Sequence, residues 1–224
     1  MAARIIGPMT LTHWPLSGLR LRTPRLEMRL PTLAELDELG SLAAGGIHDP
    51  GVQPFGVEWT DVPPQERARG VLQFQLSQWG GWSPADWSLN LVADLGGVIV
   101  GTQGVSGSDF AVLREIHTGS WLGQRYQGQG LGTEMRSAVL HLGFAGLGAE
   151  FAVSNAFTDN PASLGVSRKL GYLPDGIRRQ AIRGRPAVLQ MLRLDRPGWQ
   201  AHRRVPVEIT GLAPCLPSFG LPPA

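Results

Sequence analysis

The stretch of sequence that decides the fold runs from residue 121 to residue 134 and reads WLGQRYQGQGLGTE. It begins at the end of residues 116–122, whose pattern predicts a β-strand. It leads into residues 130–144, where apolar side chains recur at the spacing of an amphipathic helix. A glycine-rich turn therefore joins a predicted strand to a predicted helix.

A helix that begins in a glycine-rich turn offers a binding place for an anion. Its first backbone N–H groups have no partner within the helix, and the helix dipole is positive at this end. Phosphate groups bind there readily, and glycines let a ligand approach the backbone without meeting a Cβ atom. Arg125, inside the turn, can add a full positive charge. The stretch therefore predicts a phosphate-binding turn.

Three kinds of phosphate-binding turn differ in their residue spacing. A P-loop requires Gly-Lys-Ser/Thr at its end, whereas residues 132–133 are Gly-Thr with no neighbouring lysine. A dinucleotide fingerprint reads G-x-G-x-x-G, whereas residues 128–132 read G-x-G-x-G. The pyrophosphate loop of acyl-CoA enzymes, R/Q-x-x-G-x-G/A, is matched throughout by residues 125–130, RYQGQG. A purely structural turn is the alternative, and the flanking strand and helix count against it.

This stretch resembles the central motif of the GNAT superfamily of N-acyltransferases. Residues 160–172, NPASLGVSRKLGY, resemble the second motif of that superfamily, N-x-x-S…K-L-G-F. Residues 23–26, TPRL, resemble the first strand of its ribosomal-protein N-acetyltransferase (Rim-type) branch. The segments HDP (48–50), WSL (87–89) and GSWL (119–122) are similar to actinobacterial members of that branch described as succinyltransferases.

The order of predicted elements indicates a mixed α/β fold, because strands come first and a strand–helix–strand–helix–strand pattern follows. Helices are predicted over residues 33–42, 65–79, 130–144 and 160–170. Strands are predicted over residues 19–30, 87–93, 98–105, 116–122, 151–156 and 186–194. The resemblance implies the GNAT fold, with a splayed, mostly antiparallel sheet flanked by helices. We expect one acyltransferase domain over residues 14–205 and a proline-rich C-terminal extension over residues 206–224.

Composition excludes several classes of protein. The 20 basic and 18 acidic residues leave a formal net charge of +2, too small to indicate nucleic-acid binding. No apolar run approaches the ~18 residues of a membrane-spanning helix, and residues 1–10 lack a signal peptide's apolar core. Cys215 is the single cysteine, and the histidines show no metal-ligand spacing, so we expect no metal. We expect a cytoplasmic protein and leave open a homo-oligomer.

The resemblance also implies which residues bind the acyl-CoA. The backbone before the turn would pair with the pantetheine arm, the turn would hold the pyrophosphate, and Asn160 would contact the arm from the far side. Asn160 has a second interpretation as a helix N-cap. The expected donor-binding residues are Trp121, Leu122, Gly123, Arg125, Gln127, Gly128, Gln129, Gly130, Leu131, Gly132, Thr133, Asn160, Ser163 and Ser167.

Two residues are candidates for proton transfer. Many superfamily members place a tyrosine acid seven residues after the Asn, where this chain has Ser167. The resemblance therefore favours Ser163 as the group that contacts the leaving sulfur, although its hydroxyl could serve only the helix start. His117 takes the position of a carboxylate in relatives, and imidazole suits a general base near neutral pH. A structural role for His117, with an ordered water as base, is the alternative.

The expected function is a CoA-dependent N-acyltransferase that transfers an acyl group directly to a primary amine. Acetyl-CoA and succinyl-CoA are the candidate donors, and a protein N-terminus, a lysine or a small amine is the acceptor. Asp49, Trp82 and Trp87 are candidate acceptor-site residues, although packing or solvation explains them equally well. A non-catalytic acyl-CoA-binding regulatory module is the alternative function.

Overall fold

The computed structural model describes residues 11–223, and within them the chain forms a nine-stranded sheet. In spatial order the strands are β7-β8-β6-β5-β4-β3-β2-β1-β9, and only the β5–β6 pair is parallel. The strands are β1 (Arg20–Arg22), β2 (Glu27–Arg29), β3 (Asp86–Asp94), β4 (Ile99–Ser108), β5 (Glu115–Leu122), β6 (Phe151–Phe157), β7 (Leu173–Ile182), β8 (Arg185–Asp195) and β9 (Glu208–Thr210).

Helices cover both faces of this sheet. They are α1 (Leu33–Ala44), α2 (Pro64–Gly80), α3 (Phe110–Leu113), α4 (Leu131–His141), α5 (Pro161–Lys169) and α6 (Arg196–His202). Val92 of β3 packs with Leu39 of α1 and Val71 of α2, whereas its neighbour Leu91 belongs to the same core cluster as Met135 of α4. Because successive strand residues point to opposite faces, α1 and α2 cover one face and α4 the other. The mixed α/β class predicted from the sequence is confirmed.

Local signals in the sequence account for most helix boundaries. Thr32 caps α1 in a capping box with Glu35, and Pro64 opens α2 at the first helical position. Gly130, in the left-handed conformation with φ +80°, precedes α4. Asn160 caps α5 by accepting a hydrogen bond from the Ser163 N–H group. The four predicted helices are therefore all present, with small differences at their ends.

Three local predictions are corrected. The single strand over residues 19–30 is a hairpin of β1 and β2, because the Thr23 hydroxyl and backbone bond Leu26 and turn the chain. Strand β7 has no predicted counterpart, since Pro174 and Gly176 interrupt its pattern at a register shift. Helix α4 ends at His141, and one π-helical turn follows.

Residues 206–223 lie against the rest of the structure. Strand β9 pairs antiparallel with β1, which makes it an edge of the sheet. A 3-10 helix over Ala213–Phe219 then buries Cys215 and Phe219 completely. The Phe219 ring lies 4.8 Å from the Trp87 ring and 5.7 Å from the Trp82 ring, centroid to centroid. The expected boundary between domain and extension stays a prediction, but these residues share the central core.

Candidate active site

Strands β5 and β6 run side by side only at their beginnings. Their register comprises three pairs, the last of which joins His117 to Val153. Beyond it β5 continues to Leu122 while pairing with β4 alone among the described residues. The Thr118 carbonyl accepts a hydrogen bond from the Ser154 hydroxyl at 3.2 Å, at the point of divergence. A gap therefore opens between β5 and β6 after Thr118.

The backbone of β5 supplies polar groups to one wall of this gap. Because the Thr118 carbonyl faces β6, the alternation of strand backbone directs the N–H and C=O groups of Ser120 and Leu122 the same way. The intervening Gly119 carbonyl accepts from the Gln103 side chain on β4 at 3.0 Å, and Gly123 donates to β4. Of the expected backbone partners, Leu122 faces the gap, whereas the backbone groups of Trp121 and Gly123 face β4, which corrects the expectation for these two residues. Ser120, which the sequence analysis missed, also faces the gap.

The turn after β5 exposes backbone rather than side chains. Gly128 and Gly130 have φ angles of +74° and +80°, and a Cβ atom at Gly128 would meet nothing within 4 Å. The Gln127 amide donates to the Ile47 and Leu122 carbonyls at 2.6 and 3.0 Å, and Gln129 donates to the Arg125 carbonyl at 2.9 Å. These two side chains therefore brace the turn. The Thr133 and Glu134 N–H groups both donate to the Gly130 carbonyl at 3.1 Å, so the N–H groups that precede the first helical hydrogen bond of α4 are those of residues 130–132.

A charged clamp joins the turn to the β1–β2 hairpin. Glu134, buried in the first turn of α4, accepts hydrogen bonds from the Thr23 hydroxyl at 2.6 Å and from Arg25 Nε at 2.6 Å. Arg25 Nη1 also donates to the Gln129 carbonyl at 3.1 Å. Burial opposes ionisation of Glu134, but the bonds from Thr23 and Arg25 outweigh it and lower the pKa of this carboxyl. Arg25 thus adds a fixed cation beside the turn, where Arg125 lies over the Tyr126 ring.

Helix α5 follows β6 directly, and the role of Asn160 as N-cap accounts for its side-chain oxygen. Ser163 is half-buried in that turn. Ser167 is fully buried, and its hydroxyl lies between Arg136 Nη1 at 2.8 Å and the Ser163 carbonyl at 3.1 Å. Because it is enclosed in this way, Ser167 is a packing residue between α4 and α5, which corrects its expected contact with the donor.

An unexpected buried cation lies behind α5. Arg136 of α4 is 5% exposed, its Nε has no partner among the described residues, and burial lowers the pKa of its guanidinium. Tyr172 is buried nearby, and burial raises the pKa of its phenol. The Tyr172 hydroxyl lies 3.1 Å from the Thr118 hydroxyl. The Tyr172–Thr118 pair lies at the divergence point and the Arg136–Ser167 pair lies between α4 and α5, and sequence spacing revealed neither of them.

On the opposite face of β5 lies a cavity of about 560 Å³. Residues His117 to Trp121 form its floor, together with parts of β3 and β4. Helix α2 contributes Val71, Phe74 and Gln75, and residues 55–59 of the α1–α2 loop contribute most of the aromatic wall. His117 is exposed and lines this cavity at the last β5–β6 pair. The structure thus brings His117 and Trp121 to one enclosed space.

The α1–α2 loop (residues 45–63) is held over the cavity by the hairpin of β7 and β8. Arg183 at the hairpin tip bonds Asp61 through Nη2 at 2.5 Å and Nε at 2.6 Å, and its N–H group bonds the Glu58 carboxylate. Hydrogen bonding from Arg183 lowers the pKa of Asp61. We call these contacts the Arg183 clasp. It fixes the segment whose Trp59 ring lies 5.9 Å from the Trp121 ring.

The candidate acceptor-site residues lie elsewhere. Trp87 is 2% exposed and packs with Trp82 and Phe219, so both tryptophans belong to the core rather than to the cavity wall. Asp49 is exposed, and its carboxylate accepts the Gly51 N–H at 2.9 Å within its own loop. The side chains that line the cavity instead include Phe55, Trp59, Phe74 and Gln75, which lack a distinguishing motif.

Further observations concern chemistry away from this cavity. Cys215 is buried, and burial raises the pKa of its thiol to about 11, so it is neutral near pH 7. Among residues 11–223 there is no cluster of three or more His, Cys, Asp or Glu side chains suited to a metal ion. In the same range no helix is long and apolar enough to cross a membrane.

Comparison with known proteins agrees with this geometry. Residues 25–173 match the family described as Acetyltransferase (GNAT) domain, so the chain belongs to that family. The match includes Arg25 and Glu134 of the charged clamp, the turn, the cavity floor and α5. The sheet and its helices are accordingly those of the GNAT fold.

Three solved structures share the fold at low sequence identity. RimJ of Mycobacterium smegmatis, in complex with CoA-disulfide, has a TM-score of 0.66 and 16% identity over 83% of this chain and 94% of its own. The ribosomal-protein-S5-alanine acetyltransferase of Vibrio fischeri has a TM-score of 0.62 and 16% identity over 80% and 98%. RimL, a ribosomal L7/L12 alpha-N-protein acetyltransferase in complex with coenzyme A, has a TM-score of 0.60 and 19% identity over 77% and 95%.

Proposed function

We propose that this protein transfers an acetyl group from acetyl-CoA directly to a primary amine. The observation that carries the proposal is the position of β5 between two spaces. Its edge, from Thr118 to Leu122, forms one wall of the gap that ends at the glycine-rich turn. Its face, from His117 to Trp121, forms the floor of the apolar cavity. A thioester in the gap would therefore meet an amine in the cavity.

The residues of the turn bind and orient the donor. The N–H groups from Gly128 to Gly132 would bind the pyrophosphate, with Arg25 and Arg125 supplying positive charge. The Ser120 backbone and the Leu122 N–H group would pair with the pantetheine arm, as an added strand pairs with a sheet edge, because the Leu122 carbonyl already accepts from Gln127. The carbonyl carbon of the thioester would then lie near the divergence point, beside His117.

The chemistry requires one bond to form and one to break. The amine nitrogen attacks the thioester carbonyl carbon, a C–N bond forms, and the C–S bond breaks to release the thiolate of CoA. His117 accepts the proton that the amine loses, either directly or through water. Ser163 donates a hydrogen bond to the departing sulfur. Cys215 is not suited to act as the nucleophile of a covalent acyl-enzyme, because its thiol is buried and neutral.

Succinyl-CoA is the second candidate donor, and one observation supports it. A smaller cavity of about 250 Å³ shares Gly56 and Val57 with the large one and is lined by Arg178, Gln180 and Asn155. Arg178 could bind the terminal carboxylate of a succinyl group. Arg183, on the same β-hairpin, is already occupied by its bonds to Asp61 in the Arg183 clasp.

We also propose that, within the GNAT family, this protein is related to the Rim-type branch of ribosomal-protein N-acetyltransferases. The Thr23-Pro24-Arg25-Leu26 segment and the role of Arg25 in the clamp are consistent with this proposal. On that proposal, a protein N-terminus is among the acceptors and the protein acts in the cytoplasm. The alternative, a non-catalytic acyl-CoA-binding module, is an outcome of the experiment below.

The test is release of free CoA thiol from acetyl-CoA or succinyl-CoA in the presence of a panel of primary amines. We expect turnover with at least one amine, reduced about 100-fold in kcat by His117→Gln and about tenfold by Ser163→Ala. The matched control is His13→Gln, because His13 is an exposed histidine outside the cavity. Tight CoA binding with no turnover on any amine would contradict the proposal and indicate the binding module.

A further inference from the structure

The large cavity is almost uncharged. Among the described residues that line it there is no Asp, Glu, Lys or Arg, and His117 is its sole histidine. Its walls are formed mainly by Phe55, Val57, Trp59 and Phe74, with neutral polar side chains on β3 and β4. A volume of about 560 Å³ is within the range of sites that enclose a small organic molecule. The cavity therefore suits an apolar group larger than a methyl or hydroxymethyl.

The mouth of the cavity exposes apolar surface to water. Phe74 on α2 is 53% exposed and Val57 in the α1–α2 loop is 70% exposed, and both line the cavity. Contiguous exposed apolar residues at the edge of a pocket are typical of a surface that a ligand covers. Apolar contacts with a bound group would remove this surface from water.

One buried polar atom points to an N–H donor in the ligand. Gln75 is 1% exposed, and its Oε1 atom has no hydrogen-bond partner among residues 11–223. Its Nε2 atom donates to the Thr102 hydroxyl at 3.4 Å, and Gln75 is one of the residues that line the cavity. A buried acceptor without a partner is costly, so a ligand N–H group that reaches it gains a hydrogen bond.

The acids nearest the cavity mouth are already engaged. Asp61 and Glu58 both belong to the Arg183 clasp. Within the described residues no carboxylate therefore lines the cavity to pair with a second ammonium group. A polyamine or an aminosugar carries a second charge or many hydroxyls that this wall does not satisfy.

From these observations we infer that the acceptor is a primary amine attached to a bulky apolar group. An arylalkylamine and a peptide amino terminus with an aromatic or branched apolar first residue both present this chemistry. The inference rests on the proposed function and adds the class of acceptor. His117, at the end of the cavity floor, receives the amine, while Phe55, Trp59 and Phe74 enclose the apolar group.

The experiment compares amines in the thiol-release assay with acetyl-CoA. The probes are 2-phenylethylamine, ethanolamine, spermidine and two short peptides that differ only in an N-terminal Phe or Ser. We expect kcat/KM for 2-phenylethylamine to be at least about tenfold higher than for ethanolamine. If the protein accepts peptides as substrates, we expect the same difference between the Phe peptide and the Ser peptide. Preference for ethanolamine or spermidine, or a smaller difference in both pairs, would overturn the inference.

Failure of the two proposals is distinguishable by a binding measurement. Quenching of tryptophan fluorescence in the CoA-saturated protein reports amine binding beside Trp59 and Trp121 even without turnover. If 2-phenylethylamine binds selectively but no amine is turned over, the result contradicts the proposed reaction and supports the inference about the cavity. Turnover on hydrophilic amines supports the reaction and contradicts the inference.

A charge-introducing variant gives a second test. Phe74→Asp places a carboxylate at an exposed position of the wall, whereas Leu76→Asp places one on the same helix at a 43% exposed residue outside the cavity. We expect Phe74→Asp to lower kcat/KM for 2-phenylethylamine about tenfold and to raise it for spermidine. Leu76→Asp should leave both values within about twofold of the wild type. Equal effects of the two variants would refute the assignment.

Discussion

Substitution of Gly130 by leucine separates donor binding from folding. Gly130 has a φ of +80°, and the turn it closes is exposed. A side chain in this left-handed conformation costs about 1–2 kcal/mol in the folded state, or about 2–8 °C in Tm. The side chain also occupies the approach to the turn and removes about one charge-assisted hydrogen bond, worth about 1.5–3 kcal/mol. We therefore expect Kd for CoA to rise about 10- to 150-fold.

Gly96→Leu is the matched control. Gly96 has a φ of +62° in the β3–β4 turn, and a Cβ atom there meets nothing within 4 Å. The control should lose similar stability yet bind CoA normally, because its turn is outside the site. Thermal melts measure the first property and titration calorimetry with CoA the second. A Gly130→Leu protein that binds CoA within about threefold of the wild type would refute the assigned role of the turn.

Three further predictions concern the clamp, the clasp and the donor. Glu134→Gln should lower Tm by about 2–4 °C at pH 7. Because folding lowers the pKa of Glu134, the stabilisation by its carboxylate is fully present above about pH 4.5 and is lost as the pH falls through the pKa of the folded protein. Equal differences in Tm between the variant and the wild type at pH 7 and at pH 3 would contradict the clamp. Asp61→Asn should raise KM for the amine about threefold to tenfold and leave Kd for CoA unchanged, because loss of the Arg183–Asp61 ion pair releases the loop that carries Trp59. An unchanged KM in steady-state kinetics would show that the Arg183 clasp does not shape the acceptor site. If succinyl-CoA is a donor, Arg178→Ala should raise KM for succinyl-CoA about tenfold and leave KM for acetyl-CoA unchanged. Equal changes in KM for both donors would show that Arg178 does not select between them.

Sequence reasoning succeeded where structure is local. The glycines of the turn, the Pro64 start of α2 and the Asn160 cap each act within about one helical turn, so their neighbours in sequence are their neighbours in space. The predicted mixed α/β class followed from the order of such elements. Local signals fail where a short hydrogen-bonded turn divides an apparently continuous strand, as at Thr23, and where Pro174 and Gly176 interrupt the pattern of β7.

Most of the site depends on contacts between distant residues. Arg25 and Glu134 are 109 positions apart, and no spacing rule connects them. Gln75 is a polar residue in a helix that alternates apolar and polar positions, so its burial follows only from the sheet beneath α2. Trp82 and Trp87 are the opposite case. Their large aromatic side chains suggested the wall of a pocket, but Phe219, far along the chain, packs against both rings and encloses them in the core.

A crystal structure with bound acetyl-CoA tests the central claim most directly. We predict the pyrophosphate within hydrogen-bonding distance of the backbone between Gly128 and Gly132, with the pantetheine arm between β5 and β6 and the acetyl group facing His117. A donor bound elsewhere, or a gap that remains filled by protein side chains, would contradict the account.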